Sequence, residues 1–224
     1  MAKVTEEYYA QKRKEILDAA YRVCVRKPIT SVTMKDVIAE TGYSHGAIYK
    51  YYKDLDEIIR DLLININRTY TFDDLGKIIE KHGTKNWEKA IRDISSMLAD
   101  HMIGVGKDVV KISLYCGVFA MSEPERAKQI SEKIGEESVT PLLSAINTMS
   151  VYLEDIIKAN KLHPARSAEE IILFIVTYYG GVEDTFALSD DEESSNGFTN
   201  GSPKLLFSIL ADSIILMLKG VNKK

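Results

Sequence analysis

The chain has 224 residues, 45% of them hydrophobic and 28% charged, so it can bury a sizeable core without disulfide or metal staples, and wholesale disorder is excluded. Its net charge of −4 is unevenly spread: residues 1–53 carry ten Lys/Arg against six acids and the remainder 19 against 27, a basic N-terminal segment on an acidic body. With two cysteines (Cys24, Cys116), and apolar runs at 171–182 and 205–218 that fall short of the roughly 18 residues a span requires, disulfide-scaffold and membrane classes are excluded. The start, MAKVTEEYYAQKRKE, has no signal-peptide apolar core, and with the unpaired cysteines it points to a cytoplasmic protein.

Taken in chain order, apolar spacing and capping signals predict helices at about 5–26, 33–40, 44–51, 54–70, 72–82, 86–104, 107–121, 123–160, 167–188 and 203–219. No long stretch alternates like a strand, so the fold class is all-α. Thr33 with Asp36, Ser122 with Glu125 and Ser167 with Glu170 have capping-box spacing. Asp54 with Glu57 is a close variant, and Ser202-Pro203 reads as an N-cap followed by the first helical position. Pro141 falls inside 123–160, and a mid-helix proline costs roughly 3 kcal/mol, which predicts a kink or break near Thr140. Gly104-Val105-Gly106 reads as a break between helices and Gly180-Gly181 as a close approach of two helix backbones. Residues 189–201, SDDEESSNGFTNG, predict a surface loop.

The segment 33–52, TMKDVIAETGYSHGAIYKYY, carries the most information. Met34, Val37 and Ile38 supply an inward face for one short helix, and Gly42 lies where a tight turn needs positive φ. Ser44 caps a second helix whose Ile48 and Tyr52, four residues apart, point inward. His45, Gly46, Ala47, Tyr49 and Lys50 are left outward, with Gly46 and Ala47 small enough to let the helix approach a surface closely. A helix-turn-helix that lays its second helix in the major groove needs this arrangement.

From Lys12 to Ile58 the order of parts is a basic start, ILDAA, T-x-x-D-V, TGYS and IYKYYKD-x-DE-I. In this order the stretch resembles the N-terminal three-helix domain of the TetR/AcrR-type bacterial transcriptional regulators, over about a fifth of the chain. The resemblance implies that Thr33, Ser44, Tyr49 and Lys53 hold phosphates of double-stranded DNA while His45, Gly46 and Ala47 approach bases, with Lys50 beside them. Hydroxyls and a lysine charge suit phosphate oxygens, and His45 can act as donor or acceptor at a base edge. Three departures stand out: Leu55 where the family usually has a lysine, Ile38 where alanine is common, and Lys27-Pro28-Ile29 without the usual glycine.

The stretch 171–176 is apolar around the whole helix and 205–218 nearly so, and such helices need cover on every side. That predicts a homodimer through a four-helix bundle, with Ile172, Ile175, Tyr179, Leu206, Leu210 and Ile214 at the interface; burial within one subunit is the alternative. In the family the region between encloses an effector pocket. Trp87, Met97, His101, Tyr115, Phe119 and Tyr152 are the candidate lining for a small-molecule effector, largely apolar.

His82, His101 and His163 share no ligand spacing, so no metal site is expected, and no phosphate-cradling glycine loop, dinucleotide fingerprint or nucleophile elbow appears. The expectation is therefore a non-enzyme without cofactor. It has a helix-turn-helix domain at 1–53 and a helical effector-binding and dimerisation domain at 54–224, and acts as a ligand-responsive regulator, a repressor on a near-palindromic operator. A protein-interaction partner that no longer reads DNA, favoured by Leu55, and an all-helical small-molecule binder or enzyme are the alternatives.

Overall fold

The structure is a computed structural model and describes residues 5–69, 71–135, 141–189 and 202–220; most of the expected 189–201 loop and Thr140 lie outside these. Among the described residues every regular element is helical. They form two packing units, 5–69 with 111–135, and 71–110 with 141–189 and 202–220. Packing therefore does not divide the chain at 53/54.

In the first unit α1 (Glu6–Arg26) buries Ile16, Ala19, Ala20, Val23 and Cys24, a single stripe at helical spacing. It packs on α2 (Met34–Thr41) and α4 (Leu55–Thr69), and α4 packs in turn on α8 (Pro124–Ile134). Arg126 of α8 donates to Asp56 at the start of α4 (2.6 and 2.8 Å) and to Glu123 (2.9 Å), and lies over the ring of Phe119 in α7 (Lys107–Ser122). Burial pushes the Cys24 thiol up to about 11 and that of Cys116 up to about 12, away from thiolate reactivity.

The second unit is built on α6 (Trp87–Val105) and α11 (Pro203–Lys219), whose long mutual contact buries Ile91, Phe207, Leu210, Ile214 and Leu218. Ion pairs line its edge: Glu88–Lys219 at 3.0 Å, Arg92–Asp212 at 2.7 Å and Asp100–Lys204 at 3.4 Å. Rising numbers on one helix meet falling numbers on the other, so the pair is antiparallel; exposed pairs of this kind set register more than stability. α5 (Asp74–His82) and α9 (Pro141–Asn160) complete the base. Tyr152 donates to the carbonyl of Gly83 (2.9 Å), Asn160 to that of Thr84 (2.9 Å), and the buried His82 ring bonds Asp93 at 2.7 Å.

Several expectations are corrected. The helix expected over 123–160, with a kink or break near Thr140, is two helices: α8 closes at Gly135, in the left-handed half of backbone space at φ 63, and Pro141 opens α9, so the break and not the kink is what forms. Ser122 ends α7, so its box with Glu125 does not form; Glu123 takes the cap position without a side-chain bond. The boxes at Thr33–Asp36 and Ser167–Glu170 do form, as does the Ser202 cap. A Cβ on Gly180 or Gly181 would meet nothing within 4 Å, so no helix of the same chain comes close there among the described residues, and a close approach there belongs to the proposed dimer. Although no uninterrupted run reaches span length, α10 (Ala168–Leu188) is long and apolar enough to cross a membrane by length and composition, a test that core helices of soluble proteins also pass.

Gly220 is where glycine is required. It ends α11 at φ 71, and a Cβ there would sit inside the radius of the His163 carbonyl oxygen, next to the Ala165 N–H that bonds Met217 (2.8 Å). Gly220→Ala should destabilise by roughly 2 kcal/mol, a fall of about 4–8 °C in Tm for a chain of this length. Gly104→Ala, in open space within α6, should stabilise slightly; thermal unfolding of the two variants checks the contrast.

Candidate nucleic-acid interface

Two capped helix starts and one left-handed glycine define the geometry of 33–52. The Thr33 hydroxyl accepts the Asp36 N–H, and Asp36 accepts the Thr33 N–H at 2.8 Å, which closes the box. α2 ends at Gly42, φ 69, whose N–H bonds the carbonyl of Ile38. Ser44 then caps α3 (His45–Ile48) by accepting the Ala47 N–H. Inward, Val37, Ile48 and Tyr52 are almost fully buried, with Met34 and Ile38 half-buried beside them.

The four residues of α3 are fewer than the expected 44–51, and the chain continues to Tyr52 in turns. Side chains from α1 hold that continuation. The Tyr9 hydroxyl donates to the Lys50 carbonyl (2.7 Å) and its ring packs on Tyr51 (4.9 Å between centroids). Arg13 donates to the Tyr51 carbonyl (2.6 Å), pairs with Asp61 of α4, and lies 4.0 Å from the centre of the Tyr52 ring. These bonds satisfy carbonyls that a longer helix would have satisfied itself. Arg13, Tyr52 and Asp61 are not legible as a set in the sequence, being spread over 48 positions.

Outward lie Ser44, His45, Gly46, Tyr49, Lys50 and Lys53, all exposed, with Ala47 half-buried. The His45 and Tyr49 rings pack on each other with centroids 4.7 Å apart, which limits the rotamers of both. Nothing lies within 4 Å of a Cβ added to Gly46, so the face is open to close approach. Lys53 donates its own N–H to Glu57 (2.9 Å) and keeps its ammonium exposed. Leu55, the missing lysine, is half-buried as the first residue of α4.

Thr33 is different from the others. Its hydroxyl donates to the Asp36 carboxylate at 2.6 Å while accepting from the Asp36 N–H, so its proton is already committed beside a negative charge. A phosphate oxygen reaching Thr33 has no hydroxyl proton to accept unless this bond breaks. Ser44 only accepts in its cap and keeps its proton to donate. Lys27, 2.5 Å from Asp36, and the bonds from Thr33 hold the Asp36 carboxyl down to about 2. Tyr43 is half-buried and bonds Lys12 (2.8 Å) and Glu15.

Residues 16–62 match the family model for bacterial regulatory proteins, tetR family. The match covers about a fifth of the chain, the stretch that holds α2, Gly42 and α3. It is 41% identical over 61 residues to the uncharacterised HTH-type transcriptional regulator YfiR of Bacillus subtilis, covering 27% of this chain and 30% of YfiR. To the HTH-type transcriptional regulator TtgR of Pseudomonas putida it is 27% identical over 70 residues, 31% of this chain and 33% of TtgR. The likeness thus spans about a third of the curated relatives' length. Salmonella enterica GusR shares the fold, with a TM-score of 0.53 at 13% identity over 96% of this chain and 98% of GusR.

The other predicted residues fall in different places. Met97 and His101 line open space in the second unit, but Trp87 and Tyr152 are buried in its core, and Tyr115 and Phe119 belong to the first unit. Of the expected interface set, Leu210 and Ile214 are enclosed within the chain on the α6 side of α11, and Ile172, Ile175 and Tyr179 line a chamber; Leu206 is half-buried. The exposed apolar residues are their neighbours: Leu173, Val176, Leu205, Ile209 and Leu216.

Asp36 gives a pH dependence with a definite sign. In the unfolded chain its carboxyl ionises near the usual value of about 3.9, and in the fold it stays ionised to about 2. The folded state therefore gains from the charge above about pH 4 and loses that gain as pH falls towards 2. Urea unfolding at about pH 5, 3 and 2 should show Asp36→Asn less stable than the parent at the highest of these and the gap closing at the lowest.

Proposed function

We propose that the chain is a DNA-binding transcriptional regulator acting in the cytoplasm as a homodimer. The observation that carries this reading is the helix-turn-helix of 33–52, its inner face closed by Val37, Ile48 and Tyr52 and its outer face presenting Ser44, His45, Tyr49, Lys50 and Lys53. Ser44, Tyr49, Lys50 and Lys53 contact phosphates, His45 reads a base edge, and Gly46 and Ala47 let the backbone come close. Thr33 serves as a cap first, because its hydroxyl proton is held by Asp36.

Dimerisation is supported by the exposed stripe on α10 and α11, where Leu173 and Leu216 stand 67% and 69% exposed among Val176, Leu205 and Ile209. Apolar side chains this exposed and this numerous mark an interaction surface. A two-fold axis through it gives two reading heads and an operator that is a near-palindrome. The open chamber of the second unit supports a small-molecule effector. Binding it releases the DNA, which makes the protein a repressor, to the extent that the effector prefers the conformation whose heads do not fit.

Lys53→Ala should weaken binding to operator and random DNA alike and reduce the log–log salt slope by about 2 per dimer, one phosphate contact from each head. His45→Ala should lose preference for operator over random DNA with little change in the slope. Fluorescence anisotropy on the DNA upstream of the protein's own gene and on random DNA, across several salt concentrations, reads both; equal losses on the two DNAs for His45→Ala would remove it as a reader. Leu173→Glu combined with Leu216→Glu should halve the mass measured by light scattering while leaving the far-UV helical signal intact.

A further inference from the structure

Because α3 is so short, its first residue, His45, and the residue that ends it, Tyr49, stand one turn apart on the same outward side. Their rings pack with centroids 4.7 Å apart and 34° between the planes, a separation at which aromatic rings attract. Among the described residues this is the only ring contact of the His45 imidazole, and no hydrogen bond or ion pair engages it. Its neighbours on α3 offer no other hold. A Cβ on Gly46 would meet nothing within 4 Å, and Ala47 carries only a methyl group.

Tyr49 is itself well placed to serve as a support. Its N–H bonds the carbonyls of His45 and Ala47. The carbonyls of the next two residues are tied to α1, that of Lys50 by the Tyr9 hydroxyl (2.7 Å) and that of Tyr51 by Arg13 (2.6 Å). The backbone beneath the Tyr49 ring is therefore fixed, and a tyrosine has only two side-chain torsions left to order. Stacking uses the face of the imidazole. Both ring nitrogens lie on its edge and stay available to a partner in the plane of the ring.

We propose that Tyr49 is the positioning residue of the base reader: its ring holds the His45 imidazole in one pose before DNA arrives, while its hydroxyl is left for a phosphate. The two parts of one side chain then do separable things. Random DNA is held through its phosphates and does not require an ordered His45, whereas operator does. Ordering a free side chain at an interface lowers affinity by about threefold, so an imidazole ordered in advance favours operator by that factor at each head. Over the two heads of a dimer this becomes about tenfold. The ring acts through His45, so its effect must vanish when His45 is removed; the effect of the hydroxyl must not.

The proposal rests on the DNA-binding reading above for its meaning, and it is tested first without DNA. The chain has four histidines, so the His45 ring protons are assigned in the proton NMR spectrum of the full chain by their loss in His45→Ala. In the parent they should be displaced upfield by the ring current of Tyr49. Tyr49→Phe should keep that displacement and Tyr49→Ala abolish it. Tyr49 is 45% exposed, and the far-UV helical signal checks that both variants stay folded. Fluorescence anisotropy then compares random DNA with a duplex that the parent selects from a randomised pool. Tyr49→Phe should weaken binding to both DNAs by one common factor, with the salt slope unchanged because a hydroxyl carries no charge. Tyr49→Ala should in addition lower the ratio of the two affinities by about tenfold, and should lower it no further when His45→Ala is already present. The proposal is overturned by His45 protons that do not move in Tyr49→Ala, by a ratio that falls equally in Tyr49→Phe, by a ratio that survives Tyr49→Ala, or by an equal fall with and without His45. A parent that selects no duplex from the pool overturns the DNA-binding reading and the reader with it, whereas unmoved ring protons overturn the positioning role alone.

Discussion

A helix that is apolar around its whole circumference cannot be satisfied by one neighbour, and the second unit is organised by having two of them. α11 resolves the problem by lying antiparallel along α6, where Phe207, Leu210, Ile214 and Leu218 are buried. That contact consumes one side of α11 and leaves Leu205, Ile209 and Leu216 outside. α10 has less cover still. One face lines a chamber through Ile172, Ile175 and Tyr179, and another, through Leu173 and Leu188, stands exposed. Both the cavity and the outer stripe follow from the same shortage of packing partners.

The reading head solves a different problem, that of holding a very short helix still. Four residues cannot stabilise themselves, because nucleation is unfavourable and most of their backbone groups lie at an end. α3 is fixed instead from three sides: the Ser44 cap at its start, Ile48 and Tyr52 beneath it, and Tyr9 and Arg13 of α1 on the carbonyls that follow it. The outward residues can then be chosen for what they meet rather than for helix propensity, which is why a glycine at Gly46 is tolerated. The same economy limits Thr33, whose hydroxyl is needed by the cap of α2 and cannot serve two partners with one proton.

What the chain reveals without coordinates divides along the same line. Local chemistry is legible: the boxes at Thr33 and Ser167, the left-handed Gly42, the inward Ile48 and Tyr52, and the family order of motifs through Ile58. Each depends on residues within a few positions of one another. The break between α8 and α9 is half legible, since Pro141 is visible but its use as a helix start rather than a kink depends on where α8 ends. The direction of an apolar residue is not legible in α10 and α11. When apolar residues fall on every side of a helix, spacing no longer says which face is covered. Leu210 and Ile214, expected to face a partner, point to α6, and Ile172, Ile175 and Tyr179, expected there too, wall a chamber. The node of Arg13, Tyr52 and Asp61 carries no signal, because nothing local ties residues that far apart.

Val176 shows how the two uses of α10 are linked. It lines the chamber and is also 39% exposed, so it sits at the seam between the inner face of Ile172 and Tyr179 and the outer face of Leu173. A ligand seated against the inner face of this helix would act on the position of its outer face as well, to the extent that it fits one position better than another. If the outer face is the dimer contact proposed above, occupancy of the chamber and the geometry of the two-fold axis would be two readouts of one coordinate. The coupling needs no chain of intermediaries across the molecule, only a difference in how well the ligand fits the two positions of a single helix. In the proposed regulator, the lack of cover that leaves α10 apolar on both sides is what would let it move: a helix locked into a core on every face would have no second position to select.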